Sequence, residues 1–263
     1  MYKKTIAIIG NGEIANIIID AYNNGMLNAY NIVAVMGRTP EKTNKAALKA
    51  KCKACSSIDE LLDTKPWIVV EAASVEAVKN YAFDVLNSGS HFAALSIGGF
   101  EDEVFREKLR EVCRKRKTKV YLSAGCIGGL DALRTISLMG AKEAEISVSQ
   151  NPEDLRGTIL FSESLITDGV NKCIFDGTAQ EAIRIMPTQI NIGVAVALAG
   201  VGVKDTKVKM NTTPFDERDI ATITIKNSNA FADITVGYNP PVNLAGWGIV
   251  ATLNNIASEI MFM

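Results

Sequence analysis

The stretch TIAIIGNGEIA, residues 5–15, decides the fold of this chain because it joins an unbroken apolar run to a GxGxxA turn. The helical spacing of Ile14 to Asn23 follows immediately. In such a turn Gly10 permits the sharp bend, Gly12 lets the backbone approach a pyrophosphate, and the small Ala15 lets the helix pack on the strand. The pattern predicts a dinucleotide site at the N-terminus of the first helix, with a purely structural turn as the alternative.

Outward from this turn, apolar runs keep alternating with stretches of helical spacing. The further runs lie at 31–36, 67–71, 91–95 and 119–122, and helical patterns lie between them at 75–88 and 101–117. Strands that are apolar throughout are buried on both faces, which is typical of a parallel sheet with helices on both sides. Residues 1–122 are therefore predicted to form a Rossmann domain with five strands.

The hydrophobic pattern of the sequence changes from about Ala144, where polar and apolar residues begin to alternate. Examples are the segments 145–149, 206–210 and 221–225. Alternation with a period of two indicates a sheet with one solvated face, which predicts a second, mixed α/β domain over residues 123–238. Helical spacing returns from Leu244 to Ile260, around Trp247. We expect a helix within residues 239–263 that buries its apolar stripe against its own protein or a sister subunit.

Composition and charge exclude several classes of protein. The chain has 263 residues, with 28 Lys and Arg against 29 Asp and Glu, so it lacks the net basic character of a nucleic-acid binder. No apolar segment approaches the ~20 residues of a membrane span. The start, Met1 to Lys4, leads straight into the first strand rather than into a signal peptide. We expect a cytoplasmic protein without membrane or nucleic-acid partners.

The cysteine pattern gives no metal site. Cys52 and Cys55 form a CxxC, but neither a second CxxC nor a nearby His completes a ligand set. We interpret the five cysteines as reduced thiols, with a redox pair at Cys52 and Cys55 as the alternative.

The end of the second strand indicates which dinucleotide binds. A site that prefers NAD usually carries an Asp or Glu there, whereas this chain has Met36-Gly37-Arg38-Thr39. Gly37 leaves room for a phosphate, Arg38 can pair with it while stacking on adenine, and Thr39 offers a hydroxyl. These residues predict NADP, with NAD as the alternative. A solvated loop residue is the other interpretation of Arg38.

Small residues follow the later strands of the predicted sheet, at the edge where open parallel sheets bind ligands. Residues 72–74 and 96–99 would let a nicotinamide ring lie against the backbone. The glycine-rich segment 123–129 is predicted either to receive a substrate carboxylate on its N–H groups or to act as a hinge between domains. The candidate cofactor-binding residues are Gly10, Gly12, Glu13, Ile14, Arg38, Thr39, Ala72, Ala73, Ser96, Ile97, Gly98, Ala124 and Gly125.

An ordered series of motifs resembles the L-aspartate dehydrogenase family over nearly the whole chain. The most specific is LSAGCIGGLDAL at 122–133, which is similar to the family's SGAIGGLDAL. The other matching segments are 70–78, 95–99, 175–179, 182–187, 190–192 and 197–202. The resemblance implies oxidation of aspartate to oxaloacetate and ammonia through iminosuccinate. It also implies a homodimer, a catalytic second domain and a last helix that packs back near the Rossmann domain.

Three departures from the family fall where it uses substrate-binding or catalytic residues. The family histidine that acts in proton transfer aligns with Ala221. The basic T-R-K-P motif aligns with Val148-Ser149-Gln150-Asn151-Pro152, and N-P-K-T-S aligns with Asn239-Pro240-Pro241-Val242-Asn243. His91, the one histidine in the sequence, precedes an apolar run and is interpreted as a strand-entry residue. The nucleotide half is thus retained, whereas the substrate half is altered.

Asp219 and Asn191 are the candidate catalytic residues. Asp219 lies two positions before Ala221, and positions two apart in a strand share a face, so Asp219 is the nearest substitute base. A solvated acid in the charged cluster 216–219 is the alternative. Asn191 is an amide between apolar neighbours, which indicates either a substrate contact or a helix cap.

Two functions remain open from the sequence. One is an NAD(P)-dependent amino acid dehydrogenase or imine reductase that acts on a small amino acid or imine. The other is an NADP(H)-binding protein with a decayed or altered site, which acts on another imine or oxo substrate or serves as a non-catalytic sensor. Hydride transfer is carried mainly by the cofactor, so loss of one histidine does not by itself abolish the chemistry.

Overall fold

The computed structural model describes residues 3–186, 190–239 and 242–262. The chain forms two compact units, one of residues 1–125 with 245–263 and the other of residues 126–244. Both units are α/β, which confirms the predicted fold class. The domain boundaries at 122/123 and 238/239 stay a prediction. The family-like residues Pro187, Pro240 and Pro241 lie outside the described residues.

The first unit is built on a parallel sheet. Its elements in chain order are β1 (Lys4–Ile9), α1 (Glu13–Asn23), β2 (Tyr30–Met36), α2 (Pro40–Ala50), β3 (Lys53–Cys55), α3 (Ile58–Leu62), β4 (Ile68–Glu71), α4 (Val75–Asn87), β5 (His91–Ala94), α5 (Glu103–Arg116) and β6 (Val120–Leu122). A short 3-10 turn spans Ile97–Phe100. The strand order is β3-β2-β1-β4-β5-β6, and every neighbouring pair is parallel.

The sheet has six strands rather than the five predicted from the sequence. The additional strand, β3, lies at the edge beside β2 and has only three residues. Of these, Cys55 alone is buried, so the segment lacks the apolar run that marks the other strands. By contrast, all four residues of β4 and the last four of β1 are buried, because helices cover both faces of the central strands.

The second unit is built on a mixed sheet. Its elements are α6 (Leu130–Leu138), β7 (Glu143–Gln150), α7 (Ser164–Thr167), β8 (Lys172–Thr178), α8 (Ala179–Ile185), α9 (Asn191–Ala199), β9 (Thr206–Thr212), β10 (Asp219–Lys226) and β11 (Phe231–Tyr238). The strand order is β11-β10-β7-β9-β8, with β7 and β9 parallel and the other neighbours antiparallel.

The two faces of this sheet differ as the alternating sequence predicts. Ile146, Val208 and Ile223 are fully buried on the face that α6 and α9 cover. The opposite face carries polar cross-strand pairs. One of them joins Lys209 Nζ to Glu145 Oε1 at 3.1 Å, which is a partly exposed ion pair that contributes little stability.

The chain ends in α10 (Leu244–Ala257), which belongs mostly to the first unit. Ile249 and Leu253 of this helix are fully buried in the same apolar core as Ile18 of α1 and Tyr30 of β2. The Tyr30 hydroxyl donates a hydrogen bond of 2.8 Å to the Leu253 carbonyl. Sequence-distant segments thus share one core. No helix among the described residues is both long enough and apolar enough to cross a membrane.

We expect Tyr30→Phe to lower the free energy of unfolding by ~1 kcal/mol, because a buried hydrogen bond to α10 is lost while the ring still fills its space. Urea unfolding measures this as a lower midpoint with an unchanged slope. Tyr22→Phe is the matched control, because the Tyr22 hydroxyl makes no hydrogen bond within the described residues. An equal loss in both variants would contradict the role given to the Tyr30 hydroxyl.

Candidate active site

The turn between β1 and α1 is formed by two glycines with different constraints. Gly10 has φ +133°, and a Cβ there would lie 2.3 Å from the Ala72 carbonyl oxygen. Gly12, in contrast, has no atom within 4 Å of the position of a Cβ. Gly10 therefore permits the close packing of this turn on the end of β4, whereas the space beside Gly12 is open.

The N-terminus of α1 fits an anion. Gly12 is its N-cap residue and supplies no side-chain hydrogen bond, so the first N–H groups of the helix lack a capping partner. The helix dipole places partial positive charge at the same point. An open glycine beside uncapped N–H groups is the arrangement that a pyrophosphate requires.

Asn11, which lies in the glycine turn, holds the loop after β2 through two hydrogen bonds. Asn11 Nδ2 donates to the Thr39 carbonyl at 3.0 Å and to Thr43 Oγ1 at 2.9 Å. A Cβ on Gly37 would lie 2.3 Å from Asn11 Cγ, so Asn11 explains the glycine at 37 more directly than room for a phosphate does. Arg38 is exposed at the strand end and has no ion-pair partner within the described residues.

These elements border a cavity of about 710 Å³ at the carboxyl ends of the strands. Five predicted cofactor-binding residues line it, namely Gly10, Gly12, Arg38, Ala72 and Ala73. The other predicted residues, which are Glu13, Ile14, Thr39, Ser96, Ile97, Gly98, Ala124 and Gly125, are not part of its lining. The cavity also reaches Cys55, Ser56 and Glu60, which the sequence analysis did not select.

Glu71 is a polar residue that the sequence analysis missed. It is the last residue of β4, and its side chain is fully buried. Its carboxylate accepts hydrogen bonds from the N–H groups of Ala73 and Ser74, both at 2.8 Å, and from the Ser96 hydroxyl at 2.9 Å. Burial raises the pKa of Glu71, and these hydrogen bonds oppose the rise. The sequence signal for Glu71 is its position as an acid at the end of an apolar run, VVE at 69–71.

Asp219 begins β10, and its residue partner across the sheet is Tyr238 of β11. Burial raises the pKa of Tyr238, and the neighbouring Asp219 raises it further. Asp219 Oδ1 is buried without a hydrogen-bond partner in the described part of the chain. The neighbouring acid Asp216 is instead paired with Arg218 at 2.7 Å, so Asp219 is not part of a uniformly solvated cluster.

Ala221, where the resemblance implies a histidine, is buried between Val236 and Val148 on the neighbouring strands. Because residues two apart in a strand share a face, Asp219 lies on the same face as Ala221. The segment after Gly125 passes over this face: a Cβ on Gly128 would contact Val236 at 3.8 Å. Asp219 therefore lies on the face of Ala221, two positions earlier along β10.

The acids near Asp219 differ in their pairing, because Glu153 is paired with Arg156 whereas the exposed Asp154 forms no ion pair within the described residues. Burial raises the pKa of Asp154, and the charges of Asp219 and Glu153 raise it further. Burial also raises the pKa of the Cys126 thiol, with a contribution from Asp219. Asp154 and Asp219 therefore bring two negative charges close together in this part of the second unit.

Asn191 is the first residue of α9, whereas the N-cap position is Ile190. Asn191 thus lies at the start of the helix, and the choice between a helix cap and a substrate contact stays open. Its contact with substrate stays a prediction.

His91 is the first residue of β5 and lies at the end of the sheet opposite the cavity. Its Nδ1 accepts a hydrogen bond of 3.0 Å from the Lys119 N–H, and its ring meets Trp67 edge-on at 4.6 Å. Burial lowers the pKa of His91. It is a strand-entry residue, as its sequence context indicates.

Comparison with known proteins connects both units to one family. Residues 131–256 match the family described as aspartate dehydrogenase, C-terminal, and residues 10–123 match the homoserine dehydrogenase NAD-binding domain. An L-aspartate dehydrogenase of Methanococcus maripaludis is 30% identical over 97% of each chain. The chain belongs to the L-aspartate dehydrogenase family. This membership confirms the resemblance found in the sequence and makes the protein an NAD(P)-dependent amino acid dehydrogenase that resembles aspartate dehydrogenase.

Solved structures agree with the family assignment. The aspartate dehydrogenase of Thermotoga maritima aligns over the full length of both chains with a TM-score of 0.78 and 25% identity. An amine dehydrogenase of Mycobacterium smegmatis shares the fold with a TM-score of 0.60 over 98% of this chain and 93% of that one, at 14% identity. The L-aspartate dehydrogenase fold therefore extends over this whole chain, including β10, where the resemblance implies a histidine at Ala221.

Proposed function

We propose that this protein uses NADP(H) to interconvert the amine of a small amino acid with the corresponding imine, with L-aspartate as the first substrate to test. The cavity bordered by Gly10, Gly12 and Arg38 carries the proposal. Its open glycine and the uncapped helix N-terminus fit a pyrophosphate, and its cationic side chain lies where the second phosphate of NADP would bind.

The chain's own residues would hold the cofactor in three places. The N–H groups at the start of α1 would bind the pyrophosphate, and Arg38 with Thr39 would bind the 2′-phosphate. Ala72 and Ala73, which line the cavity after β4, would leave room for the nicotinamide end. The predicted contacts of Glu13, Ile14, Ser96, Ile97, Gly98, Ala124 and Gly125 belong to the same proposal. A bound nicotinamide exchanges a hydride with the substrate carbon.

We expect Arg38→Ala to weaken NADPH binding about 10- to 150-fold, because a charge-assisted hydrogen bond contributes roughly 1.5–3 kcal/mol. NADH lacks the 2′-phosphate, so its affinity should change by less than about threefold. Fluorescence titration of each reduced cofactor measures both values. Lys42→Ala is the matched control, because Lys42 is an exposed cation of α2 outside the cavity. Equal losses for NADPH and NADH in Arg38→Ala would refute the assignment of the 2′-phosphate.

Asp219 is the proposed proton-transfer residue in place of the family histidine. Oxidation of the amine needs an acceptor for the proton that leaves the substrate nitrogen, and a carboxylate serves as this acceptor. The buried, unpartnered Oδ1 of Asp219 supports this role, since such an oxygen is stabilised by a donor such as an ammonium group. Asn191 is proposed to hold the substrate through its amide.

A second candidate function is favoured by the acidic surroundings of Asp219. The charge of Asp219 raises the pKa of Asp154, so two carboxylates lie close together here. Such a region repels a dicarboxylate and accepts a cationic nitrogen. This supports a dehydrogenase for another amine or imine, in line with the loss of the basic motif at Val148 to Pro152.

A nicotinamide absorbance assay separates these functions. The panel contains L-aspartate, neutral and basic amino acids, and the corresponding oxo acids with ammonia. Turnover with aspartate supports the first proposal, and turnover only with neutral or basic substrates supports the second. NADPH binding without turnover on any member would instead support the non-catalytic sensor. Assembly as a homodimer and a cytoplasmic location stay predictions.

A further inference from the structure

Glu71 is a fully buried carboxylate that reaches the ends of two neighbouring strands of the first unit. It ends β4 and is followed directly by Ala72, Ala73 and Ser74, all of which line the cavity. The neighbouring strand, β5, ends at Ala94, and its following loop begins with Leu95 and Ser96. These are the strand ends on the side of the sheet away from β2, where the nicotinamide half of a dinucleotide lies.

The carboxylate divides its two oxygens between the two loops. Oε1 accepts from the N–H groups of Ala73 and Ser74, and also from the Ser96 hydroxyl. Oε2 accepts from the Ser96 N–H at 3.0 Å and from the Leu95 N–H at 3.3 Å. All five partners are donors, which is the complement of an acceptor-only carboxylate. The loops after β4 and β5 are thereby joined through one side chain.

A neutral side chain can anchor a loop as well as a charged one. At the other end of β5, the neutral Ser90 hydroxyl is equally buried and ties the strand to the preceding loop through a hydrogen bond of 2.6 Å to the Pro66 carbonyl. A buried carboxylate is costlier to desolvate than a hydroxyl. The costly group is located at the ligand-binding edge, where it holds the N–H groups of Ala73 and Ser74, two residues that line the cavity.

We propose that Glu71 is a positioning residue that fixes the wall for the nicotinamide end of the cofactor by holding the loops after β4 and β5 in one arrangement. This inference rests on the proposed function, because it assumes that the cavity binds a nicotinamide dinucleotide. Glu71 acts through Ala73, Ser74 and Ser96 rather than by touching the substrate. Gln at this position would turn an amide N–H₂ toward donors, which disrupts the arrangement while conserving volume.

The test compares NADPH with 2′-phospho-ADP-ribose, which has the same adenine and pyrophosphate part but no nicotinamide. In Glu71→Gln we expect the affinity for NADPH to fall about tenfold or more, whereas that for 2′-phospho-ADP-ribose changes by less than about twofold. Equal losses for both ligands would overturn the proposal, because a merely structural role affects the whole cavity. Failure of the wild-type protein to bind either ligand would instead refute the proposed function.

Ser96→Ala keeps the experiment informative if Glu71→Gln does not fold. It removes one of the five donors, and we expect a smaller loss of NADPH affinity with the same selectivity against 2′-phospho-ADP-ribose. Ser90→Ala is the matched control, since it removes a buried hydroxyl of comparable exposure at the opposite end of the same strand. A similar loss of NADPH affinity in Ser90→Ala and Ser96→Ala would overturn the proposal.

Discussion

Gly12→Ala should remove most of the cofactor affinity while leaving the fold intact. The backbone of Gly12 has φ −89°, which alanine adopts readily, and no atom lies within 4 Å of the new methyl group. The methyl group would project into open space beside the uncapped N-terminus of α1, where the pyrophosphate is proposed to bind. An overpacking cost of ~1–3 kcal/mol corresponds to about 5- to 140-fold weaker binding. Calorimetric titration with NADPH measures this loss of affinity.

Gly10→Ala, in the same turn, should destabilise the fold itself, unlike Gly12→Ala. Its φ of +133° is unfavourable for alanine, and the Cβ would lie 2.3 Å from the Ala72 carbonyl oxygen. We therefore expect Gly10→Ala to lower the midpoint of thermal unfolding, whereas Gly12→Ala leaves that midpoint unchanged. If Gly12→Ala bound NADPH like the wild type while folding normally, the pyrophosphate site would be located elsewhere.

Asp219→Asn should lower kcat about 10²- to 10⁴-fold, the usual cost of losing a positioned acid or base. The amide conserves the shape of the side chain but does not accept a proton. Because Asp219 is located in the second unit, outside the cavity of the first, the affinity for NADPH should stay within about twofold of the wild-type value. Steady-state kinetics with the best substrate of the panel, together with a cofactor titration, measures both quantities.

Asp216→Asn is the matched control for this variant. Asp216 lies three residues earlier in the chain and is paired with Arg218 through its carboxylate, and Arg218 holds the pKa of Asp216 down at about 2. Loss of the Asp216 carboxylate should therefore leave kcat within about twofold of the wild-type value. A kcat in Asp219→Asn equal to that of Asp216→Asn would show that another group transfers the proton, and Tyr238 would then be the next candidate.

Local sequence was sufficient for five of the six strands of the first unit and for α1, α4 and α5, but not for α2 and α3. The apolar run at 5–9 and the glycines at 10 and 12 place β1, the turn and α1 correctly, because burial of a parallel strand on both faces leaves an unbroken apolar signature. β3 escaped prediction since an edge strand of three residues has no such signature. In the second unit, period-two alternation located β7, β9 and β10 because one face of that sheet is solvated.

The sequence by itself determined the fold class, the glycine turn and the absence of an acid after β2, because each depends on residues that are adjacent in the chain. Only the tertiary structure decided which side chains act together. The tertiary structure brings Asn11 to Thr43, Glu71 to Ser96, and Asp219 to Tyr238. The members of these pairs are 32, 25 and 19 residues apart in the chain. Such pairings follow from strand order and register, which bring distant segments into contact and leave no periodic pattern in the sequence.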